Sequence, residues 1–131
     1  MNLQVVAEGS GSTPEGNLRE APVTGVRRED GVVVVSLAGE LDLYNANEVR
    51  EALLAVAGEG PKRLVVDLAD VRFIDSTALG VLIEARTRLE NKQAFLLASP
   101  GLETRRALEI SGLDRHFTVY GTVDEALAAE V

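Results

Sequence analysis

Phe73-Ile74-Asp75-Ser76-Thr77-Ala78-Leu79-Gly80-Val81 is the segment on which the reading of this chain turns. Two apolar residues end a strand-like run, an acid and two hydroxyls follow, and a helical pattern begins. The hydroxyls therefore stand where a strand hands over to a helix. A helix start carries unpaired N–H groups and partial positive charge, so it favours an anion. Asp75 or Ser76 can supply the cap that accepts from the first turn. The same N–H groups would also hold a phosphoserine, which makes Ser76 a candidate phosphate acceptor. Local physics gives Thr77 an equal claim.

Outward from this junction, strands and helices alternate. Val23 to Arg28 reads as a modest strand, and Asp30-Gly31 as a hairpin turn. Val32 to Ala38 is almost wholly apolar and rich in β-branched residues, as a strand buried on both faces requires. Gly39-Glu40-Leu41-Asp42 breaks that pattern. Asn45 with Glu48 reads as a capping box for a first helix, whose inner stripe is Ala46, Val49, Leu53 and Val56. Gly58 and Gly60-Pro61 stop it. Leu64 to Leu68 is the next buried strand, and Asp67 within it is expected to turn toward loop backbone.

The second helix is expected from Ser76 to Glu90, with Leu79, Leu82, Ile83 and Leu89 inward and Glu84, Arg86, Arg88 and Glu90 outward. Gln93 to Ala98 is a further strand, Leu102 to Ile110 a third helix closed by Gly112, and Phe117 to Tyr120 a short edge strand. Thr122 and Glu125 form a second capping box before a last helix. The order is β-β-α-β-α-β-α-β-α. It predicts an α/β fold with a mixed, mostly parallel sheet of four to five strands and helices packed against it. Residues 21–131 form one domain. Residues 1–20 have linker composition around Gly9-Ser10-Gly11-Ser12-Thr13-Pro14 and read as a flexible tail, with a short strand conceivable at Leu3 to Val6.

Composition excludes much. The 131 residues carry a formal charge of −8, no cysteine and one histidine, His116. Disulfides, thiolate metal sites and multi-histidine cages are ruled out within the chain. An acidic chain without a basic cluster suits neither nucleic acid nor an anionic membrane surface. No apolar run nears the roughly 20 residues of a membrane span, and no secretory signal is evident, so a cytoplasmic protein is expected.

Sites in open α/β sheets gather at the carboxyl ends of strands. Three loops qualify: Gly39 to Tyr44, Asp70 to Thr77, and Ser99 to Leu102. They collect Asp42, Asp70, Asp75, Ser76, Thr77 and Ser99. Ser76 has no nearby base, since His116 lies on the approach to the last strand as a surface or packing residue. A Ser-His-Asp hydrolase is therefore not expected. Asp42, Asp70 and Asp75 could hold Mg²⁺ as in a phospho-accepting receiver domain, but no acid pair follows the first strand. Neither G-x-G-x-x-G nor a P-loop is present. A non-catalytic protein-binding domain without metal or cofactor is the reading that stands.

On the two motifs Gly39-Glu40-Leu41-Asp42 and Phe73 to Val81, the chain from about Val23 to Glu130 resembles a STAS domain of the bacterial anti-sigma factor antagonist family. That resemblance implies partner switching. The unphosphorylated antagonist binds an anti-sigma factor that is also a serine/threonine kinase, and a sigma factor is released. Phosphorylation of the residue matching Ser76 ends the complex, and a PP2C-type phosphatase reverses it. The loop matching Glu40 to Asp42 contacts the kinase, to which ATP belongs. Glu40, Asp42, Asp75, Ser76, Thr77 and Ser99 are the partner-binding residues this implies, in a monomer or weak dimer. The same fold also serves as a scaffold subunit of stressosomes or of a lipid-transport ATPase, in which Ser76 would be only a cap. Where the family often has Gly, this chain has Ala78, which favours helix by about 1 kcal/mol.

Overall fold

The computed structural model describes residues 20–130. The elements are β1 (Val23–Glu29), β2 (Val32–Leu41), α1 (Ala46–Ala57), β3 (Arg63–Ile74), α2 (Ser76–Arg88), β4 (Phe95–Ala98), α3 (Leu102–Ser111), β5 (Thr118–Tyr120) and α4 (Val123–Ala128). They build one five-stranded sheet in the order β1-β2-β3-β4-β5. β1 pairs antiparallel with β2, and every other neighbour is parallel. The hairpin between β1 and β2 has positive φ at both Asp30 (55°) and Gly31 (82°). That is the type I′ geometry whose twist matches the flanking strands. The expectations for residues 1–19 lie outside the described residues.

The central strands are buried on both faces, which is why their sequences run apolar without alternating. On one face Val33, Val35, Leu64, Val66, Phe95 and Leu97 meet α1 and α2, with Leu53, Val56, Leu79 and Leu82 between the layers. On the other, Val34, Val65, Leu96 and Ala98 meet Ala126 of α4. Truncating a fully buried Leu such as Leu53 to Ala would cost about 2–5 kcal/mol.

α4 has six residues, too short to be stable as an isolated helix. Arg63, at the start of β3, holds its C-terminal end. Its Nη1 donates to the Leu127 carbonyl and its Nη2 to the Ala129 carbonyl at 2.5 Å. A guanidinium there also complements the negative end of the helix. Thr122 caps the N-terminal end by accepting from Glu125 N–H at 3.0 Å. The Glu125 carboxylate accepts from Gly121 rather than from Thr122, so the second capping box forms one residue off register.

Several local expectations need correction. Both strands that lead to the Ser76 junction run further than their apolar cores suggest. β2 continues through Gly39 and Glu40 to Leu41, and β3 through Asp70 and Arg72 to Ile74. Parallel pairing between the two persists across bulges at Ser36/Ala38 and Gly39/Glu40, with Gly39 at φ 82°. Asn45 does not cap α1 with its side chain. That amide is committed to the preceding loop, described below. Finally, Lys92–Ala94 is a 3-10 turn before β4 rather than strand, opened by Asn91, whose side chain accepts from Gln93 N–H. Asp67 does not turn to loop backbone: its carboxylate accepts from Ala69 N–H at 3.0 Å, within β3 itself, because the strand runs on past it.

Candidate partner-binding surface

Leu41 and Ile74 are the last paired residues of β2 and β3, side by side at the carboxyl end of the sheet. Asp75 N–H donates to the Leu41 carbonyl at 3.0 Å, so the chain leaves the sheet under control. Asp75 is the N-cap of α2, with extended backbone (φ −99°, ψ 178°). Its Oδ1 accepts from Ala78 N–H at 3.0 Å and its Oδ2 from Leu43 N–H at 3.2 Å. Between Asp75 and Ser76 as cap, the acid takes the role. Ser76 is then the first helical residue, and its side chain and that of Thr77 are exposed. Helix geometry leaves the Ser76 and Thr77 N–H groups outside the i→i−4 ladder. Ala78 is buried in the core, so a small residue there serves packing.

The loop after β2 is fastened from within. The Asp42 carboxylate accepts from Tyr44 N–H at 3.0 Å. The Asn45 amide accepts from Asp42 N–H and donates to the Glu40 carbonyl, both at 2.9 Å. Together with the Asp75–Leu43 bond, these hold Leu43 and Tyr44 outward, 63% and 82% exposed. Phe73, opposite Glu40 across the β2–β3 pair, is 48% exposed. Large apolar side chains are thus held in water at this end of the sheet, Leu43 and Tyr44 by a hydrogen-bonded frame. Sequence periodicity does not single out these three. The available signal was Leu43-Tyr44 inside a turn, and Phe73 adjacent to the inward Ile74.

The structure brings Glu40, Asp42, Asp75, Ser76 and Thr77 to this end of the sheet. Asp70 does not join them: it lies within β3 opposite Ala38, in a shallow recess with Glu20, Thr24 and Arg72. An Asp42–Asp70–Asp75 cation site is therefore not assembled. Among the described residues no cluster of three or more His, Asp or Glu is placed to hold a metal ion. Ser99 also stands apart. It follows β4, whose last residue Ala98 pairs with Asp67, well upstream of Ile74, and its N–H donates to the Tyr120 carbonyl. His116 is exposed and sets its ring edge-on to Phe117, 5.2 Å between centroids, at the surface and away from Ser76.

α1 and α2, the two helices that start at this surface, are tied by a bidentate pair. Arg50 Nε and Nη2 donate to Glu84 Oε1 and Oε2 at 2.8 and 2.9 Å. Hydrogen bonding to the guanidinium, with its charge in support, holds the Glu84 carboxyl below the ordinary carboxylate range and raises Arg50. No helix among the described residues is long and apolar enough to cross a membrane.

Comparison with known proteins gives a consistent result. The STAS domain profile matches residues 25–126. The chain is 34% identical over 102 residues to the anti-sigma-F factor antagonist RsfB of Mycobacterium tuberculosis, spanning 78% of this chain and 84% of the relative. It is 36% identical over 90 residues to the anti-sigma-B factor antagonist of Bacillus subtilis, spanning 67% and 81%. The crystal structure of an anti-sigma factor antagonist from Mycobacterium paratuberculosis superposes with a TM-score of 0.75 at 38% identity, covering 80% of this chain and 91% of that one.

Proposed function

This chain belongs to the STAS domain family, and we propose that it is an anti-sigma factor antagonist whose binding is switched at Ser76. In this reading the unmodified protein docks its Ser76 end onto an anti-sigma factor and thereby frees a sigma factor. The anti-sigma factor is itself a serine/threonine kinase that supplies ATP and phosphorylates Ser76. A PP2C-type phosphatase restores the binding form. The protein is a regulatory subunit of this cycle, works where sigma factors work, in the cytoplasm, and performs no catalysis itself.

One observation carries the reading. Ser76 is exposed at the first residue of α2, at the same end of the sheet as the exposed apolar residues Leu43, Tyr44 and Phe73. A hydroxyl at that position is reachable by a kinase that has docked on the trio. A phosphate there adds about −1.5 to −2 charge next to the Asp75 carboxylate. A partner surface fitted to a neutral serine would meet both the added bulk and the repulsion. Glu40 and Asp42 border the same surface and favour a partner whose facing rim is basic.

The test is a titration of the wild-type chain, Ser76→Ala and Ser76→Glu against the purified anti-sigma factors of its own genome, followed by intact mass after adding ATP. Binding by wild type and Ser76→Ala, loss of binding by Ser76→Glu, and one phosphate on wild type but none on Ser76→Ala are expected. Equal binding by Ser76→Glu would sink the switch. Phosphate on Ser76→Ala would move the acceptor to Thr77.

A further inference from the structure

The chain enters the sheet at the Ser76 end. β1 runs antiparallel to β2, so the residues before Val23 lie beside the last residues of β2. The Pro22 carbonyl accepts from Ala38 N–H at 3.0 Å. Glu20 then reaches across β2 at Gly39, and its Oε1 accepts from Arg72 Nη1 of β3 at 2.6 Å. Glycine keeps that crossing open: a Cβ at position 39 would fall 3.1 Å from Glu20 Cγ, and the φ of 82° is itself one that favours glycine. An exposed ion pair alone holds little. Here it is joined to a backbone hydrogen bond two residues on, and together they set the direction from which the preceding chain approaches.

Phe73 follows Arg72 directly, pairs with Glu40 and is 48% exposed. Extended backbone rises about 3.3 Å per residue and puts side chains two apart on one face. The residue two before Glu20 is Leu18, with Arg19 between them. Carried back along β2 in the direction that Pro22 and Glu20 set, Leu18 falls due one side-chain step beyond the Glu20–Arg72 pair, toward Phe73. Arg19 falls due beside Glu40-Leu41-Asp42, two acids in three residues. An apolar residue and a cation thus arrive together at an exposed aromatic ring and an acidic loop.

Resting on the antagonist reading above, we propose that Asn17-Leu18-Arg19, which precede the described residues, form a strap over this end of the sheet. Leu18 covers Phe73, and Arg19 pairs with the Glu40–Asp42 rim. The occupant of this surface in the free protein is thus a segment of the chain itself. It is joined to the surface through Glu20, so its effective concentration there is on the order of millimolar, and a weak contact suffices to fill it. The anti-sigma factor must displace the strap before it reaches Phe73 and the acidic rim. Its apparent affinity is reduced by the fraction of molecules in which the strap is closed.

The experiment uses the full chain and two readouts. In the free protein, NMR should give nuclear Overhauser contacts between the Leu18 methyls and the Phe73 ring. Leu18→Ser should move the Phe73 ring resonances while those of Leu53 in the core stay in place. The double variant Leu18→Ser/Arg19→Ser should bind the anti-sigma factor that wild type binds in the test above about threefold more tightly, because the strap no longer competes. Absence of the contacts, with Phe73 unmoved by Leu18→Ser, would overturn the strap. A double variant that binds no more tightly than wild type would overturn the competition and leave the antagonist reading intact. If wild type binds no anti-sigma factor, the antagonist reading fails, and the contacts in the free protein still decide whether the strap forms.

Discussion

Asp75 Oδ2 accepts a hydrogen bond from Leu43 N–H at 3.2 Å, while Oδ1 of the same carboxylate accepts from Ala78 N–H. The residue that caps the Ser76 helix therefore also fixes the loop that displays Tyr44. Replacing it should loosen both. Asp75→Ala removes a helix cap and a loop bond, each of about 1 kcal/mol, so urea denaturation should show a loss of about 2 kcal/mol. Amide exchange at Leu43 and Ala78 should accelerate together. Loss of protection at Ala78 alone would show that the loop is held without Asp75.

Tyr44 is the most exposed member of the apolar rim and contributes little to the fold. Tyr44→Ala should leave stability within about 0.5 kcal/mol of wild type. Affinity for the anti-sigma factor should nonetheless fall by about 2 kcal/mol or more, as expected of an aromatic anchor. Unchanged affinity would remove Tyr44 from the docking surface.

The Arg50–Glu84 pair gives a pH signature. Glu84 is held below the ordinary carboxylate range, so its contribution is fully present above that range. It is lost as pH falls through the depressed value, while Arg50 stays cationic throughout. The Tm gap between wild type and Glu84→Gln should be largest near neutral pH and close at pH below about 4. A gap that persists into stronger acid would mean that the substitution disturbs α1–α2 packing rather than the ion pair.

Arg63 offers a test of how the second face of the sheet is closed. Arg63→Ala removes the donors to the Leu127 and Ala129 carbonyls at the end of α4. A loss of about 1–3 kcal/mol is expected, the cost of leaving such groups unsatisfied. Faster amide exchange should be confined to α4, with β3 still protected. Uniform loss of protection would make α4 part of the cooperative core.

The strand and helix order was legible because it rests on local patterns. Val32 to Ala38 is apolar without alternation, and a strand covered on both faces needs that. Ala46, Val49, Leu53 and Val56 recur at helical spacing, and all four are buried. Asp75 before Ser76 is a cap pattern that any helix start would use. The motif at Phe73 to Val81 likewise carried the family on residues adjacent in sequence.

Other features depended on long-range pairing. Whether Asp70 sits in a loop or in a strand is decided by how far β3 stays registered with β2, and polar residues there say nothing about a partner strand thirty residues away. Ser99 is separated from Ser76 because β4 ends opposite Asp67 while β3 runs on to Ile74. Asn45 reads as a cap in sequence, yet its amide is drawn to Glu40 and Asp42 once the loop folds back.

Element order, the doubly buried sheet and the hydroxyl at a helix start follow from residues close together in the chain, since periodicity and capping act within a few residues. Tertiary structure alone decided which carboxylates share the Ser76 surface, and that Leu43, Tyr44 and Phe73 face outward. Exposure follows from where covering helices end and where strand pairing stops, and both are set by contacts between segments distant in the chain.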